Sequence, residues 1–249
     1  MNTADAPARA TLELFREDAY RRDCVARIVA LDAGGLRLDG TVFYPHGGGQ
    51  AGDRGALLLA DGSHIEIADT RKGERSGEIV HVPAPGQEAR VAALRVGTEV
   101  MARIDWARRH RHMRFHTATH LLCALVPHPV DGCSITADYA RLDFHMTEPL
   151  DKAALAAGLA RLVAQAHAVS QRWISEAELD ARAGLVRSMS VQPPRGFGLI
   201  RLVEVEGVDL QPCGGTHVAN TAEIGTVLVT NIEKKSASTR RVVLGFDPA

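Results

Sequence analysis

Short apolar runs punctuated by glycine and aspartate fill residues 24–96: CVARIVAL, GLRLDGTVFY, GALLLADG and HIEIADT. Such runs at close spacing, with turn residues between them, predict a small all-β barrel or meander. Ahead of them, residues 12–23 predict a short polar helix or an extended lead-in. PAPGQEARVAALRVG, around residues 83–97, marks a boundary. Beyond GTEVMARID the texture changes. Asp105 is placed to cap a helix that runs to about Val126 and stops before Pro127. Residues 130–144 predict strands about a turn. In TEPLDKAALAAGLARLVAQAHAVSQ, Leu155, Leu159, Leu162, Ala166 and Val169 share one helical face. Ser175 and Glu178 have capping-box spacing for a further short helix, EAELDARAGL. LIRLVEVEG, GTVLVTNIE and RRVVLGF return to strands. The pattern therefore predicts a β domain over residues 1–97 and an α+β domain over residues 98–249.

Composition narrows the class without naming a function. A chain of 249 residues, 45% hydrophobic and 24% charged, can bury a core without staples. No apolar run approaches 18 residues, and MNTADAPARATLELFRED lacks the apolar centre of a signal peptide, so the expectation is a cytoplasmic protein with no membrane partner. The formal net charge of −1 disfavours a protein that coats nucleic acid, so any such contact is local. The four cysteines form no CxxC pair and predict no disulfide framework. Aromatics at 4% are too few to suggest a base-stacking platform.

Two spaced pairs carry the metal chemistry. His116 and His120 stand at i and i+4 within the helix expected after Asp105, so both imidazoles reach one ion. Cys213 and His217, in CGGTH, repeat the spacing on what Gly214 and Gly215 make a tight turn. Each pair alone is a weak signal. Together they supply the nitrogen and thiolate donors that zinc prefers in tetrahedral array. Thr117 follows His116 where a metalloprotease would carry its glutamate, which disfavours protease chemistry. A closed set of four is structural. Catalysis needs one ligand to let go or coordination to expand, and the residues leave both open.

HGGGQAGDRG contains GxGxxG at Gly47, Gly49 and Gly52, but a strand rather than a helix is expected to follow. No Walker lysine with Ser or Thr follows either, so no ATP-binding motif is visible. The choice is between a wide turn and a loop whose N–H groups approach a ligand. Arg103, Arg108, Arg109, Arg111 and Arg114 crowd the entry to the metal helix. Such a run is either a solvated face or a contact for phosphates near a reactive end.

HTATHLL together with CGGTH resembles the editing domain shared by alanyl- and threonyl-tRNA synthetases. TVFYPHGGGQAGDRG and GCSITADYARLDF resemble the alanyl branch. LFREDAYRRDCVARIVAL is similar to the start of the free-standing relatives, the AlaX proteins. The resemblance covers residues 12–246. It implies an α+β fold, with a small N-terminal β-barrel followed by an editing domain that has an antiparallel sheet and a metal-binding helix. It implies a zinc site on His116, His120, Cys213 and His217; the two spaced pairs predict one zinc per chain, and His116, His120 and Thr117 are the candidates for the catalytic centre. Gly47, Gly48, Gly49 and Gln50 match the motif of the medium-length members, where it is associated with serine selectivity, and Thr216 joins them as a substrate-binding residue. Arg108, Arg109, Arg111 and Arg114 would meet tRNA. One departure is EKKSASTRRV, where residues 236–239 replace the family's glycine-containing turn, although Lys234, Lys235, Arg240 and Arg241 keep it basic.

The implied activity is hydrolysis of tRNA(Ala) wrongly charged with serine, and in some members glycine, with Ala-tRNA(Ala) spared. The need is physical. A pocket made for alanine rejects serine by only about 10², so a second hydrolytic site repairs the error. A site that hydrogen-bonds the serine hydroxyl can discriminate by about 10⁴ or more. Thr117, Thr216 and the backbone of residues 47–49 are the candidates for that bond. Two other classes stay open: a tRNA-binding module with a structural zinc, and a zinc hydrolase of small esters or amides.

Overall fold

Two residues of extended chain, Leu12–Glu13 (β1), lead into one helical turn, Leu14–Glu17 (α1), whose Leu14 and Phe15 are buried. Both forms expected for this lead-in are therefore present. The computed structural model describes residues 10–186, 189 and 198–247. Residues 1–9 of the expected β domain, and residues 187–188, 190–197 and 248–249 of the second, lie outside the described residues. The chain divides into two units: residues 1–47 with 52–109, and residues 48–51 with 110–249.

In the first unit, strict alternation opens Asp23–Asp32 (β2): Cys24, Ala26 and Ile28 point inward and Asp23, Val25 and Arg27 outward. That period of two is the signature of a strand with one wet face. Gly35–Leu38 (β3) pairs with it, and Gly40–Thr41 (β4) pairs in parallel with β1. Gly55–Leu58 (β5), His64–Lys72 (β6) and Ile79–Pro83 (β7) follow, then a six-residue helix, Glu88–Ala93 (α2), and Glu99–Ile104 (β8). The strands close in the order β2-β3-β7-β6-β5-β8, so this barrel has no free edge. Ile28, Leu36, Leu38, Phe43 and Leu57 fill it with no exposure. The sequence placed the domain change after residue 97. β8 lies past that point and belongs to the barrel, pairing with both β2 and β5, and the division falls after Arg109 instead. The alternating apolar face of β8 needs the barrel core to bury it.

The second unit is built around Trp106–Leu125 (α3), whose first four residues count with the barrel. Oδ1 of Asp105 accepts the Arg108 N–H at 3.1 Å, the expected cap. Val130–Ile135 (β9) and Ala140–His145 (β10) form the expected hairpin. Lys152–Ala164 (α4) buries Leu155, Leu159 and Leu162 and is capped by Asp151, which accepts from the N–H groups of Ala153 and Ala154. It ends sooner than its pattern suggested. Ala166 takes φ +53°, and Val169 begins the strand Val169–Ser175 (β11), so those two residues leave the helical face. The β-branched Val169 pairs with Val205 instead.

Ser175 and Glu178 form the capping box of Glu176–Asp180 (α5), and a 3₁₀ turn at Ala183–Leu185 follows. Leu199–Val205 (β12) and Asp209–Pro212 (β13) complete an antiparallel sheet in the order β11-β12-β13. Val227–Lys234 (β14) and Thr239–Phe246 (β15) join the hairpin in a second antiparallel sheet, β14-β15-β10-β9. Among the described residues no helix is long and apolar enough to cross a membrane.

Candidate functional site

The i,i+4 spacing on α3 sets His116 and His120 on one buried face, and the turn after β13 brings up Cys213 and His217. One ligand atom from each lies within 4.8 Å of every other. Sγ of Cys213 stands 3.3 Å from Nε2 of His116 and 3.3 Å from Nε2 of His217. A zinc tetrahedron with bonds of 2.0–2.3 Å has ligand–ligand edges of about 3.3–3.8 Å, and the two Cys213 edges fall in that range, so these nitrogen and thiolate donors could hold a metal ion of this kind. Two signals far apart in sequence are thus halves of one cluster.

Each imidazole is held by a partner on its other nitrogen, which leaves Nε2 for the cluster. Nδ1 of His116 donates to Oε1 of Gln50 at 2.8 Å. Nδ1 of His120 donates to Oδ2 of Asp209 at 3.0 Å. Nδ1 of His217 meets Oγ1 of Thr117 at 3.1 Å. Partners of this kind fix the tautomer and ring plane of a metal ligand. Gly215 makes room for the turn, because a Cβ there would stand 2.1 Å from Cε1 of the His116 ring. Arg201 pins the same turn, donating to the carbonyls of Cys213 at 2.8 Å and Gly215 at 2.9 Å.

The electrostatics suit a cation. Burial pushes the Cys213 thiol up, but the charges of His116 and His217 and hydrogen bonds from His116 and His120 outweigh it and hold the thiol well below its usual value. Burial drives His217 well below the imidazole range, helped by the charge of His116. For His120, burial acts downward and is overcome by Asp209 and Cys213, which lift it to about 9. Cys133 is different. Burial, then the neighbouring Cys123 and Cys213, push its thiol up to about 12, so it packs as a neutral group.

The glycine motif divides. Gly48, Gly49 and Gln50 belong to the second unit and Gly47 to the first, where its carbonyl accepts from the Tyr44 hydroxyl at 2.8 Å. Gly49 has φ +84°, and a Cβ there would stand 2.8 Å from Sγ of Cys133, so only glycine fits. The Gly49 carbonyl accepts from Ile135, and the Ala51 N–H donates back to the Ile135 carbonyl, each within 2.9 Å. That bridge carries the fully buried Gln50 to the cluster of His116, His120, Cys213 and His217. Its Oε1 accepts the Thr216 N–H at 3.1 Å and its Nε2 donates to the Thr216 hydroxyl at 2.9 Å. Thr117 is also fully buried, and its hydroxyl oxygen accepts the Val218 N–H at 3.3 Å, so it braces His217 and the turn.

The arginines do not form one surface. Arg109, expected to meet tRNA, is fully buried and ion-paired with Asp53, and it donates to the carbonyls of Ala19 and Val42. Its side chain points into the barrel unit, where the Asp53 carboxylate takes it out of reach of tRNA. Arg108, Arg111 and Arg114 are half-buried. Arg111 donates to the Ala137 carbonyl at 2.6 Å and Arg114 to the Ile224 carbonyl at 2.8 Å. The Arg114 guanidinium lies 3.9 Å from the Phe246 ring centroid. Asp209, Arg201 and Asp53 were missed from sequence, because their partners are 89, 12 and 56 residues away and no local spacing links them.

The chain matches two family models: "tRNA synthetases class II (A)" over residues 8–108, and "Threonyl and Alanyl tRNA synthetase second additional domain" over residues 200–243. It is 32% identical over 241 residues to the alanyl-tRNA editing protein AlaX-M of Methanosarcina mazei, covering 93% of this chain and 95% of that protein. It is 31% identical over 249 residues to AlaX-M of Saccharolobus solfataricus, covering 96% of this chain and 100% of that protein. The alanine–tRNA ligase of Pyrococcus abyssi is 33% identical over 250 residues, which is 96% of this chain but 26% of the ligase.

Proposed function

Because the chain belongs to the AlaX-M family of alanyl-tRNA editing proteins, we propose that it is a zinc-dependent deacylase that hydrolyses Ser-tRNA(Ala), acts more slowly on Gly-tRNA(Ala) and spares Ala-tRNA(Ala). The observation that carries this reading is the cluster of His116, His120, Cys213 and His217, with Gln50 of the glycine motif bonded directly to one ligand. Zinc, when bound, supplies a Lewis acid that polarises an ester or holds a substrate amine or hydroxyl.

The protein's own residues do the rest. Gln50, Asp209 and Thr117 hold the three rings so that no reorganisation is needed as charge develops. Cys213 is the least buried of the four, with the three histidines at 4–6% exposure, so the site opens at its edge and the ester enters there. Thr216 and Gln50 stand beside the ligands, and the Thr216 hydroxyl offers an entering serine hydroxyl a hydrogen bond that an alanine methyl cannot make. Gly48 and Gly49 let the backbone line the aminoacyl group without side-chain bulk. The exposed parts of Arg108, Arg111 and Arg114 meet acceptor-stem phosphates.

The test is single-turnover deacylation of Ser-, Gly- and Ala-tRNA(Ala) by purified protein, with metal content measured on the same sample. The expected result is one zinc per chain, fast loss of serine, slower loss of glycine and little loss of alanine. Equal rates on serine and alanine esters sink the selectivity argument. The closed character of a four-donor set favours one second reading, a tRNA-binding module with a structural zinc. Bound zinc and bound tRNA with no turnover establish that reading instead. Equal rates on small esters without tRNA establish a general hydrolase.

A further inference from the structure

We propose that Trp173 is a stacking platform for the nucleobase that carries the ester, the terminal adenine of the charged tRNA. Trp173 on β11 pairs directly with Arg201 on β12, and the Cys213 N–H, one residue past β13, donates to the Arg201 carbonyl at 3.1 Å. Trp173, Arg201 and Cys213 therefore form a row across one face of the three-stranded sheet, since directly opposed residues share a face. The row is two strand spacings wide, about 10 Å. Its inner end is the accessible ligand of the metal cluster and its outer end is an indole on an edge strand.

Arg201 and Val203 on the face of the row are buried, as are Ile200 and Leu202 on the other, so what distinguishes the row is its exposed end at Trp173 and Leu199. Ile174, Ile200 and Leu202, on the other face, pack into a small core with Leu179. On the face of the row, Trp173 is 49% exposed and Leu199, which pairs with the adjacent Ser175, is 55% exposed. Between them and the cluster the Arg201 guanidinium is held by Gln171 at 2.6 Å and by the two turn carbonyls, a fixed polar floor. The half-exposed indole at the end of this row offers a flat apolar face to a flat partner.

The occupant follows from distance. An aminoacyl group held at the metal cluster is too short to reach the indole. The nucleoside to which it is esterified spans that gap, its ribose over the Arg201 floor and its base over Trp173. Every nucleobase has a π-face, and stacking on an aromatic side chain is a general mode of single-strand recognition. The low aromatic content speaks against a platform for several bases, but one base needs one ring. This subsite rests on the proposed deacylase reading, because it requires the ester to sit at the cluster.

The first experiment is steady-state deacylation of Ser-tRNA(Ala). Trp173→Ala raises KM roughly tenfold, the size of one lost base stack, with kcat and zinc content held. Trp173→Phe restores most of the affinity. The second keeps Trp173 intact. The chain has two tryptophans, so Trp106→Phe leaves Trp173 as the sole indole emitter. Titration with 3′-deoxy-3′-(seryl)aminoadenosine, which cannot hydrolyse, should quench its emission over the range in which the compound inhibits deacylation. Unchanged KM in Trp173→Ala, or inhibition without quenching, overturns the stacking proposal while the deacylase reading stands. If the wild-type protein leaves Ser-tRNA(Ala) intact, the deacylase reading itself fails and the subsite with it.

Discussion

Asp209 and His120 are 89 residues apart in the chain and 3.0 Å apart in space, a buried carboxylate accepting from the far nitrogen of a candidate metal ligand. Gln211 donates to the same carboxylate oxygen at 2.8 Å, so the acceptor is itself oriented. Asp209→Asn should lower zinc affinity about 10–100-fold, in the range found when such partners are lost. Competition with a chromophoric chelator measures it. Unchanged affinity removes Asp209 from the metal site.

Gly215→Ala should be more damaging than its size suggests. The added methyl would occupy the space of the His116 ring, so either the ring or the turn must move. The expected result is loss of zinc from the purified protein by elemental analysis, with the far-ultraviolet circular dichroism of the folded chain kept. Full zinc occupancy would show that the turn has slack the structure does not indicate.

Arg109→Ala should act on stability. It leaves Asp53 buried without its counter-charge, and removing one partner of a buried pair costs about 3–5 kcal/mol. Chemical denaturation reads this directly. Arg108→Ala serves as the contrast, since its half-exposed side chain should change tRNA binding and its salt dependence with little effect on stability. A fully stable Arg109→Ala protein would refute the structural role.

His81 gives the barrel a pH dependence of its own. It is fully buried, with Nδ1 donating to the Leu36 carbonyl at 3.2 Å and Nε2 accepting from the Thr41 hydroxyl at 2.8 Å, the arrangement of a neutral ring. Burial lowers its pKa from 6.5 to about 4 despite the Leu36 bond. The unfolded chain therefore binds the extra proton between those values. The contribution is complete above pH 6.5 and is lost as pH falls through that window, by about 3 kcal/mol at the acid end. Denaturation midpoints from pH 7 to 4 should show the slope, and His81→Gln should flatten it.

The elements that were legible in the sequence share one property: their signal is local. His116 and His120 fall on one helix face, Ser175 and Glu178 form a box within one turn, and β2 alternates strictly from Asp23 to Val29. β13 escaped notice because Asp209–Pro212 is four residues long with little apolar pattern, yet it delivers Cys213. The end of α4 was misplaced because Ala166 and Val169 continue an apolar periodicity that the Ala166 backbone breaks. Arg109 looked like its neighbours in a basic run. What distinguishes it is Asp53, a partner supplied by another part of the chain.

The loop at residues 48–51 belongs to the unit that begins at residue 110, although barrel residues flank it on both sides. The unit that carries the candidate metal cluster is therefore discontinuous in the sequence. No single cut of the chain yields it whole, because a fragment starting at His110 leaves behind the amide that aligns His116. Grafting this site onto another scaffold requires transplanting two segments, or supplying a substitute for Gln50 from the recipient.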